Sequence, residues 1–359
     1  MTPNRRYFHW FLLLAAVLAG PASAVAGERL QERSEQAVEA AGLHELVVEN
    51  PRGTTEVRSS ADGRLHVVAL KIVRAESRRR AESIARLVEV TTDRQGDQFR
   101  VTVRYPQRSE VRIGFLQALS GIEFPMAEVR LTIEAPRALA LRLEAASGDL
   151  TTEDRGGRQT LETRSGDIRV SRAQGPVDAS SASGDLTVED AGPGRYRSRS
   201  GDVAVSGTRG ALAVETTSGD VNVKGATDSL RVATTSGDIG VDAAPRGLEV
   251  QTVSGDLTLH RVAGVVRVRG TSGGGMVELA APLRLVDVSL VSGDLHVVLA
   301  PGLGALLDLH TTSGTLDVNM PLQLGKVDRH AVSGRVGGGG APVALRTVSG
   351  DISVETGER

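Results

Sequence analysis

The chain has 359 residues, a formal net charge of −2, 42 glycines, 3% aromatic residues and no cysteine. The near-neutral charge excludes nucleic acid as the expected partner, because such a partner calls for a basic face; the lack of cysteine excludes disulfides and a lipid-bearing cysteine. Many glycines and few aromatic residues indicate thin elements filled by aliphatic side chains rather than a large aromatic core.

The first 26 residues have the pattern of a secretory signal peptide. Arg5 and Arg6 precede an apolar run from Tyr7 to Ala19, and small residues follow that run, which is the order of regions in such peptides. The run is shorter than the roughly 20 residues that a membrane-spanning helix needs. We therefore predict cleavage after Ala24 or Ala26, no transmembrane segment after cleavage, and export to the periplasm or the cell surface.

Residues 27–136 predict a leader followed by a cap. The charged, alanine-rich residues 27–42 favour a leader or a frayed helix. Residues 43–136 favour a β-rich cap region with one short helix at 76–86 and a hairpin that turns at Gly96. The apolar segment 107–126 predicts either part of the core of this cap or an exposed patch that faces a partner or a membrane.

From residue 137 to the C-terminus the chain repeats one pattern. Ser-Gly-Asp, or an altered copy of it, occurs twelve times at intervals of 16 to 21 residues, most often 18. The intact copies begin at Ser147, Ser165, Ser183, Ser200, Ser218, Ser236, Ser254, Ser292 and Ser349, and the altered ones at Ser272, Ser313 and Ser333. So regular a short period is typical of stacked repeat architectures.

Apolar residues alternate with polar ones on both sides of each Ser-Gly-Asp corner. The positions six, four and two before the corner serine, and three and five after it, form columns such as Leu230, Val232, Thr234, Ile239 and Val241. Alternation on a pleated strand places these columns inside. The sequence therefore predicts an all-β fold: a two-sheeted parallel β-solenoid of about twelve 18-residue coils at 137–359, with a small N-terminal α+β cap. Each strand is expected to pair with its copy in the next coil.

Taken together, these features resemble the DUF4097/DUF4098 family of β-strand-repeat proteins, which carries an adhesin-like label. The resemblance rests on the signal peptide, the Val-Glu-Asn-Pro-Arg-Gly run at 48–53, the helix and hairpin, the Glu-Ala-Pro-Arg run at 134–137 and the Ser-Gly-Asp coils, and it covers about residues 43–356. It implies a secreted bacterial β-solenoid of the cell envelope and brings no catalytic residues. Since fold does not settle function, the site must be argued from the residues.

The corner aspartates predict a ladder of stacked carboxylates about 4.8 Å apart. Asp220, Asp238 and Asp256 are three successive members. Each carboxylate would either accept N–H bonds of its turn or share a hard cation such as Ca²⁺ with its neighbour. The altered copies interrupt the ladder, so a continuous row of cations is not expected.

A second candidate metal site lies in the longer coils near the C-terminus. Asp308 and His310 occupy the outward positions five and three before one corner, and Asp328 and His330 occupy the same positions before the next. If those coils stack in register, two imidazoles and two carboxylates form one patch that could hold a transition metal. The alternative is an ordinary polar surface.

Catalytic motifs are absent from the sequence. There is no Gly-x-Ser-x-Gly, no His-Glu-x-x-His and no cysteine, and Tyr196 is the only aromatic residue after Met126. We therefore expect a non-catalytic exported scaffold or adhesin-like protein that binds an unidentified envelope or cell-surface component and needs no cofactor. The alternatives are a Ca²⁺-binding solenoid that uses the aspartate ladder and a carbohydrate-active β-helix enzyme.

The C-terminal coil, Val343 to Glu355, is followed by no evident cap. An uncovered strand edge is a template for pairing with another chain. We therefore also predict an edge-to-edge homo-oligomer formed through this last coil.

Overall fold

A computed structural model describes residues 28–106 and 126–357. The predicted signal peptide and nearly all of the apolar segment 107–126 lie outside the described residues. The chain forms two compact units, one ending at Arg158 and the other beginning at Gln159. The described part is all-β apart from one helix, which confirms the predicted fold class.

The described part of the first unit contains nine strands and the helix. Its elements are β1 (Glu28–Val38), β2 (Glu45–Glu49), β3 (Thr55–Ser59), β4 (Leu65–Ala75), α1 (Arg78–Leu87), β5 (Glu89–Gln95), β6 (Gln98–Arg104), β7 (Met126–Ala135), β8 (Ala140–Ser147) and β9 (Leu150–Glu153). β2 pairs in parallel with both β6 and β8, and β3 pairs in parallel with both β7 and β9. The coil formed by β2 and β3 therefore lies between two others.

The alternative of a frayed helix at 27–42 is wrong for most of its length, because residues 28–38 form β1; the role of this segment as a leader remains a prediction. This strand pairs antiparallel with β4, from Glu28 opposite Ala75 to Val38 opposite Leu65. Its side chains alternate between exposed and half-buried. Pairing along the edge of β4 thus overrides the helix propensity of a charged, alanine-containing segment.

The predicted helix and hairpin are confirmed. The side chain of Ser77 caps α1 by accepting a hydrogen bond from the backbone N–H of Arg80, and Ala81, Ile84 and Ala85 are buried in one apolar cluster with residues of β4. β5 and β6 pair antiparallel around the turn at Gly96. The role of these elements as a cap remains a prediction.

The second unit contains twenty strands. They are β10 (Gln159–Ser165), β11 (Ile168–Ser171), β12 (Val177–Ser183), β13 (Leu186–Glu189), β14 (Gly194–Ser200), β15 (Val203–Thr208), β16 (Leu212–Ser218), β17 (Val221–Ala226), β18 (Leu230–Ser236), β19 (Ile239–Ala244), β20 (Leu248–Ser254), β21 (Leu257–Ser272), β22 (Gly275–Ser292), β23 (Leu295–Leu299), β24 (Ala305–Ser313), β25 (Leu316–Asn319), β26 (Leu322–Asp328), β27 (Ala331–Val336), β28 (Ala341–Ser349) and β29 (Ile352–Thr356).

Most of these strands pair in parallel with their copy in the next coil, as predicted. Strands that lead into a corner form what we call the leading sheet, in which Leu212 lies opposite Leu230 and Leu230 opposite Leu248. Strands that follow a corner form the trailing sheet, in which Val221 lies opposite Ile239. The inward columns are buried, so a narrow aliphatic core runs between the two sheets.

Most corners need glycine for two reasons, as Gly237 shows. Gly237 has φ +127°, a conformation that residues with a side chain rarely adopt. A β-carbon there would also collide with the carbonyl oxygen of Gly219, the corner glycine of the preceding coil. The glycine of the Ser-Gly-Asp repeat therefore allows one corner to stack closely on the next.

The order of stacking changes near the C-terminus, where the prediction of twelve successive coils is wrong. β28 pairs in parallel with β22 on one side and with β24 on the other, and β29 pairs with β23 and β25 in the same way. The last coil in sequence is thus inserted between two earlier ones. The uncovered edge that we predicted on residues 343–355 does not exist, because both edges of that coil are paired.

The altered repeat at Ser333 is not a coil. Residues 322–336 form the antiparallel hairpin of β26 and β27, and β27 also pairs antiparallel with β24. Ser333 and Gly334 lie within β27 rather than at a corner. A β-carbon on Gly334 would lie 2.8 Å from Cγ of Leu322, so this glycine makes room for a side chain of the neighbouring strand.

Candidate functional site

The corner aspartates form a hydrogen-bonded ladder. Oδ1 of Asp220 accepts the backbone N–H of Asp238 at 2.9 Å, and Oδ1 of Asp238 accepts that of Asp256 at 2.8 Å. Oδ1 of Asp256 accepts the N–H of Gly274 at 2.8 Å. These carboxylates therefore accept backbone N–H bonds, but the donor lies in the next coil and not in the carboxylate's own turn as predicted. The cation role of the same residues remains a prediction.

The ladder follows the changed order of the coils. The N–H of Asp351 donates to Oδ1 of Asp294 at 2.9 Å, and Oδ1 of Asp351 accepts the N–H of Thr315 at 2.7 Å. The hydrogen bonds that the backbone and the side chain of Thr315 donate to this carboxylate lower the pKa of Asp351 below its ordinary value. Thr315 has no carboxylate to offer a further coil, so the ladder ends there.

The four residues of the second candidate metal site are not arranged as predicted. His310 lies beside Asp308, with Nε2 3.4 Å from Oδ1, and Asp328 and His330 lie in the adjoining hairpin, where the carbonyl of His330 accepts the N–H of Thr311 at 3.1 Å. Within the described residues no three His, Cys, Asp or Glu side chains are arranged to hold a metal ion. The predicted geometry is wrong because it assumed that the Ser313 and Ser333 repeats stack as successive coils.

The outward face at this place carries a chain of alternating charges instead. Oδ2 of Asp287 lies 3.0 Å from a guanidinium nitrogen of Arg269, and its Oδ1 lies 3.4 Å from Arg346. Arg346 in turn lies 3.3 Å from Asp308. Arg346 belongs to the inserted strand β28, so it bridges carboxylates of the two coils between which that strand is placed.

A long groove runs over the leading sheet of the second unit beside the corners. It encloses about 1520 Å³ and is lined in nine coils by the residues three, two and one positions before the corner serine. At a strand spacing of about 4.8 Å, nine coils give a groove about 40 Å long. It is therefore long enough for an elongated ligand.

The groove has a floor and two rims. The floor is the buried small-residue column two before the corner, in which Thr234 and Thr252 donate hydroxyl hydrogen bonds to the carbonyls of Ser236 and Ser254. One rim, in spatial order, is Ser180, Arg197, Glu215, Ala233, Gln251, Arg269, Ser289, Arg346 and His310. The other is Ala182, Arg199, Thr217, Thr235, Val253, Thr271, Val291, Val348 and Thr312.

Positive charge prevails among the groove residues. Four arginines line it, and Glu215 is the only carboxylate among the lining residues. Glu215 forms ion pairs with Arg197, at 3.5 Å, and with Arg195, at 3.9 Å. Arg199 is exposed and has no ion-pair partner in the described part of the chain, so its charge is available to a ligand.

Sequence reasoning missed this groove. It identified the floor positions as one of the repeating inward columns, but the rim positions vary too much to form a pattern. Val253, Val291 and Val348 are 49%, 50% and 50% exposed. Val291 and Val348 lie side by side only because Ser292 pairs with Ser349, which the order of the repeats does not reveal.

The first unit has its own polar centre at the Asn50 turn. The buried side-chain amide of Asn50 donates to the carbonyl of Val129 at 2.9 Å. The hydroxyl of Tyr105 accepts the N–H of Val129 at 3.0 Å and donates to the carbonyl of Arg52. This network fixes β7 against the corner between β2 and β3, which gives the 48–53 run a structural role.

No described helix is long and apolar enough to cross a membrane.

Comparisons with known proteins place the chain by family. A model of the Toastrack DUF4097 family matches residues 45–266 and 247–355. A search of curated proteins finds no match.

Three similar solved structures are distant in sequence. A candidate cell adhesion protein from Clostridium sporogenes is 9% identical with a TM-score of 0.21, over 91% of this chain and 100% of that one. A candidate adhesin from Bacteroides fragilis is 10% identical with a TM-score of 0.26, over 90% and 97%. A candidate lipid binding protein from Parabacteroides distasonis is 12% identical with a TM-score of 0.32, over 93% and 99%. Likenesses this weak carry no argument about a ligand.

Proposed function

The chain belongs to the Toastrack DUF4097 family, and on that premise we propose that it is an exported, non-catalytic binding protein. Its ligand is an elongated, negatively charged component of the cell envelope, held in the groove of the second unit. The groove is the observation that carries the proposal, because it runs along nine coils and is lined by four arginines and one carboxylate. Export rests on the signal-peptide pattern of residues 1–26.

The charge of the groove supports an anionic ligand. Arg199 lines the groove with an unpaired charge, whereas Arg269 and Arg346, further along it, are ion-paired with Asp287 and Asp308. Guanidinium groups bind carboxylate and phosphate with two parallel hydrogen bonds. An elongated anion could therefore contact several coils at once.

The same lining argues against the carbohydrate-active alternative. Glycoside hydrolysis needs two carboxyl groups that flank the scissile bond, whereas Glu215 is the only carboxylate among the lining residues and is ion-paired to two arginines. The lining also contains no aromatic residue on which a sugar ring could stack. Binding without turnover is the chemistry that these residues support.

A binding experiment with groove variants tests the proposal. The purified protein is incubated with lipids and with polysaccharides extracted from the envelope of its own source, and the bound material is quantified at low and high salt. Thr235→Trp fills the groove and Arg199→Glu reverses its free charge. Asn222→Trp and Lys224→Glu are the matched controls, because both side chains are exposed on the trailing sheet outside the groove.

We expect both groove variants to lose binding and both controls to keep it. High salt should weaken binding by the unchanged protein, since exposed charges are screened. Equal binding by Thr235→Trp and Asn222→Trp, or no retention of either fraction, would contradict the proposal. The chemical class of the retained material identifies the ligand.

A further inference from the structure

Near the C-terminus, the leading sheet of the second unit extends further along the stack of coils than the trailing sheet. Beyond the inserted coil, the leading sheet continues through β24 and β27 to β26, whereas the trailing sheet ends at β25. The leading sheet therefore extends two strands past the last strand of the trailing sheet. We call these two strands, β27 and β26, the overhang; it is independent of the groove.

The inner face of the overhang is apolar and uncovered. Leu324 lies opposite Gly334, which lies opposite the buried Leu307; Val327 lies opposite Val332, which lies opposite Leu309. Residues opposite each other in a sheet point to the same face, so Leu324 and Val327 continue the inward columns. Leu307 and Leu309 are 3% and 0% exposed, but Leu324 and Val327 are 65% and 63% exposed.

Two strand edges are also open at this end. Within the described residues, β25 pairs only with β29 and β26 pairs only with β27. Their free backbone groups can accept a further strand. The apolar overhang therefore faces a gap in the trailing sheet, next to the open edge of β25, that two further strands would fill.

We propose that a second copy of this chain fills the gap in the trailing sheet, in a two-fold symmetric dimer that joins the two C-terminal ends. A rotation of 180° about an axis parallel to the strands places the partner's leading sheet in line with the trailing sheet of the first copy, and the partner's trailing sheet in line with the leading sheet of the first copy. The overhang of each copy then fills the gap in the trailing sheet of the other. The two apolar inner faces meet, and each β25 pairs with the partner's β26. One surface thus serves both copies, as a two-fold interface requires.

Strand directions agree with this pairing. A coil made of two strands must return to its start, so β25 runs opposite to β24. β27 is antiparallel to β24 and β26 is antiparallel to β27, so β26 runs with β24 and opposite to β25. A rotation about the strand axis keeps these directions, and the new pair is antiparallel.

Side-chain chemistry sets the register. Asp317 is the charged residue of β25 and Lys326 is the cationic residue of β26; both are exposed and outward, and Nζ of Lys326 lies 4.0 Å from Asp328 of its own strand. Asp317 opposite the partner's Lys326 places Leu316 opposite the partner's Val327. Val318 then lies opposite the partner's Leu324, with Gly325 in the bulge that interrupts the register of β26. The inward residues meet inward residues, and each copy contributes one charge of each sign to two equivalent pairs.

Sedimentation velocity of the purified protein over a wide concentration range tests this dimer. We expect Leu324→Asp with Val327→Asp to give a monomer, since both side chains are exposed in the single copy and buried in the dimer. Lys326→Glu should raise the dissociation constant by about tenfold, because two cross-strand attractions become repulsions. The double variant Asp317→Lys with Lys326→Glu should restore it, and Lys224→Glu should leave it unchanged.

Thermal unfolding followed by circular dichroism shows whether each variant is folded before its dissociation constant is compared with that of the unchanged protein. A protein that stays monomeric at every concentration would overturn the proposal. So would a dimer that survives the two aspartate substitutions. If Lys326→Glu dissociates the dimer and the double variant fails to restore it, the proposed register is wrong.

Discussion

Gly194 makes room for the ring of Tyr196 in the core of the second unit. A β-carbon on Gly194 would lie 2.7 Å from the hydroxyl oxygen of Tyr196 and 2.8 Å from the ring carbon that bears it. Tyr196 is fully buried, and the equivalent positions of the next coil are Leu212 and Val214. A large residue beside a glycine thus replaces two aliphatic residues of ordinary size.

This relationship predicts that the two positions depend on each other. Gly194→Ala should lower the free energy of unfolding by about 1–3 kcal/mol, because the methyl group overpacks a filled core. In a chain that carries Tyr196→Val, Gly194→Leu should instead be stabilising, since it restores the pattern of the other coils. Urea unfolding of the unchanged protein, Gly194→Ala, Tyr196→Val, and the double variant Gly194→Ala with Tyr196→Val completes a double-mutant cycle that measures the coupling. Equal effects of Gly194→Ala in both backgrounds would contradict the assignment.

The hydroxyl of Tyr196 has no hydrogen-bond partner in the described part of the chain, so Tyr196→Phe should stabilise the protein by about 1 kcal/mol. Tyr105→Phe is the matched control. It should destabilise by about 1–2 kcal/mol, because the Tyr105 hydroxyl bonds the backbone of Val129 and Arg52. Chemical denaturation at neutral pH measures both changes. A loss of stability in Tyr196→Phe would contradict the prediction.

Burial also raises the pKa of Tyr196 above its ordinary value. The folded state keeps the phenol neutral, whereas the unfolded chain ionises it near pH 10. The contribution of this group to stability is therefore fully present below about pH 10 and is lost as the pH rises above that value. We expect Tyr196→Phe to lose less stability than the unchanged protein between neutral pH and about pH 11. Parallel denaturation curves across that range check the difference.

The coil pattern could be predicted from the sequence because every inward column repeats. The order of the last coils could not. Leu290 and Thr347 fill the same column in different coils, and a single column does not say which coil lies next to it. That choice depends on side chains such as Arg346, which finds carboxylates on both sides only in the inserted position. The strand β1 was missed for a different reason, because its edge position leaves no fully buried residue to mark the alternation.

Arg155 holds the first unit together through backbone carbonyls. Its guanidinium is fully buried and donates to the carbonyls of Ala135 at 2.6 Å and Pro136 at 2.7 Å. Burial lowers its pKa to about 10, so the group is still charged at neutral pH. Arg155→Met should cost about 3 kcal/mol, because buried acceptors lose their donors. Arg137→Ala, which breaks an exposed ion pair with Asp154, should cost less than about 1 kcal/mol.

The corner ladder predicts a structural role for Asp238. Asp238→Ala removes the acceptor of the Asp256 N–H and should cost about 1 kcal/mol, whereas Asp238→Asn keeps an acceptor oxygen and should cost less. Melting temperatures with saturating Ca²⁺ and with a chelator should agree. A rise with Ca²⁺ that disappears in Asp238→Asn would instead support the cation-binding alternative.

The insertion of the last coil can be tested by introduced disulfides, because the chain contains no cysteine of its own. Ser289 lies directly opposite Arg346 in the pairing of β22 with β28, so Ser289→Cys with Arg346→Cys places two thiols on adjacent strands within the usual Cα separation of about 4.4–6.8 Å for a disulfide. If the coils stacked in sequence order, Ser289 would instead lie opposite His310, which occupies the same position before the next corner. We therefore expect oxidation to crosslink the first pair and not Ser289→Cys with His310→Cys. Non-reducing electrophoresis after proteolysis between the two sites reads the result, and crosslinking of the second pair alone would show that the coils follow the order of the sequence.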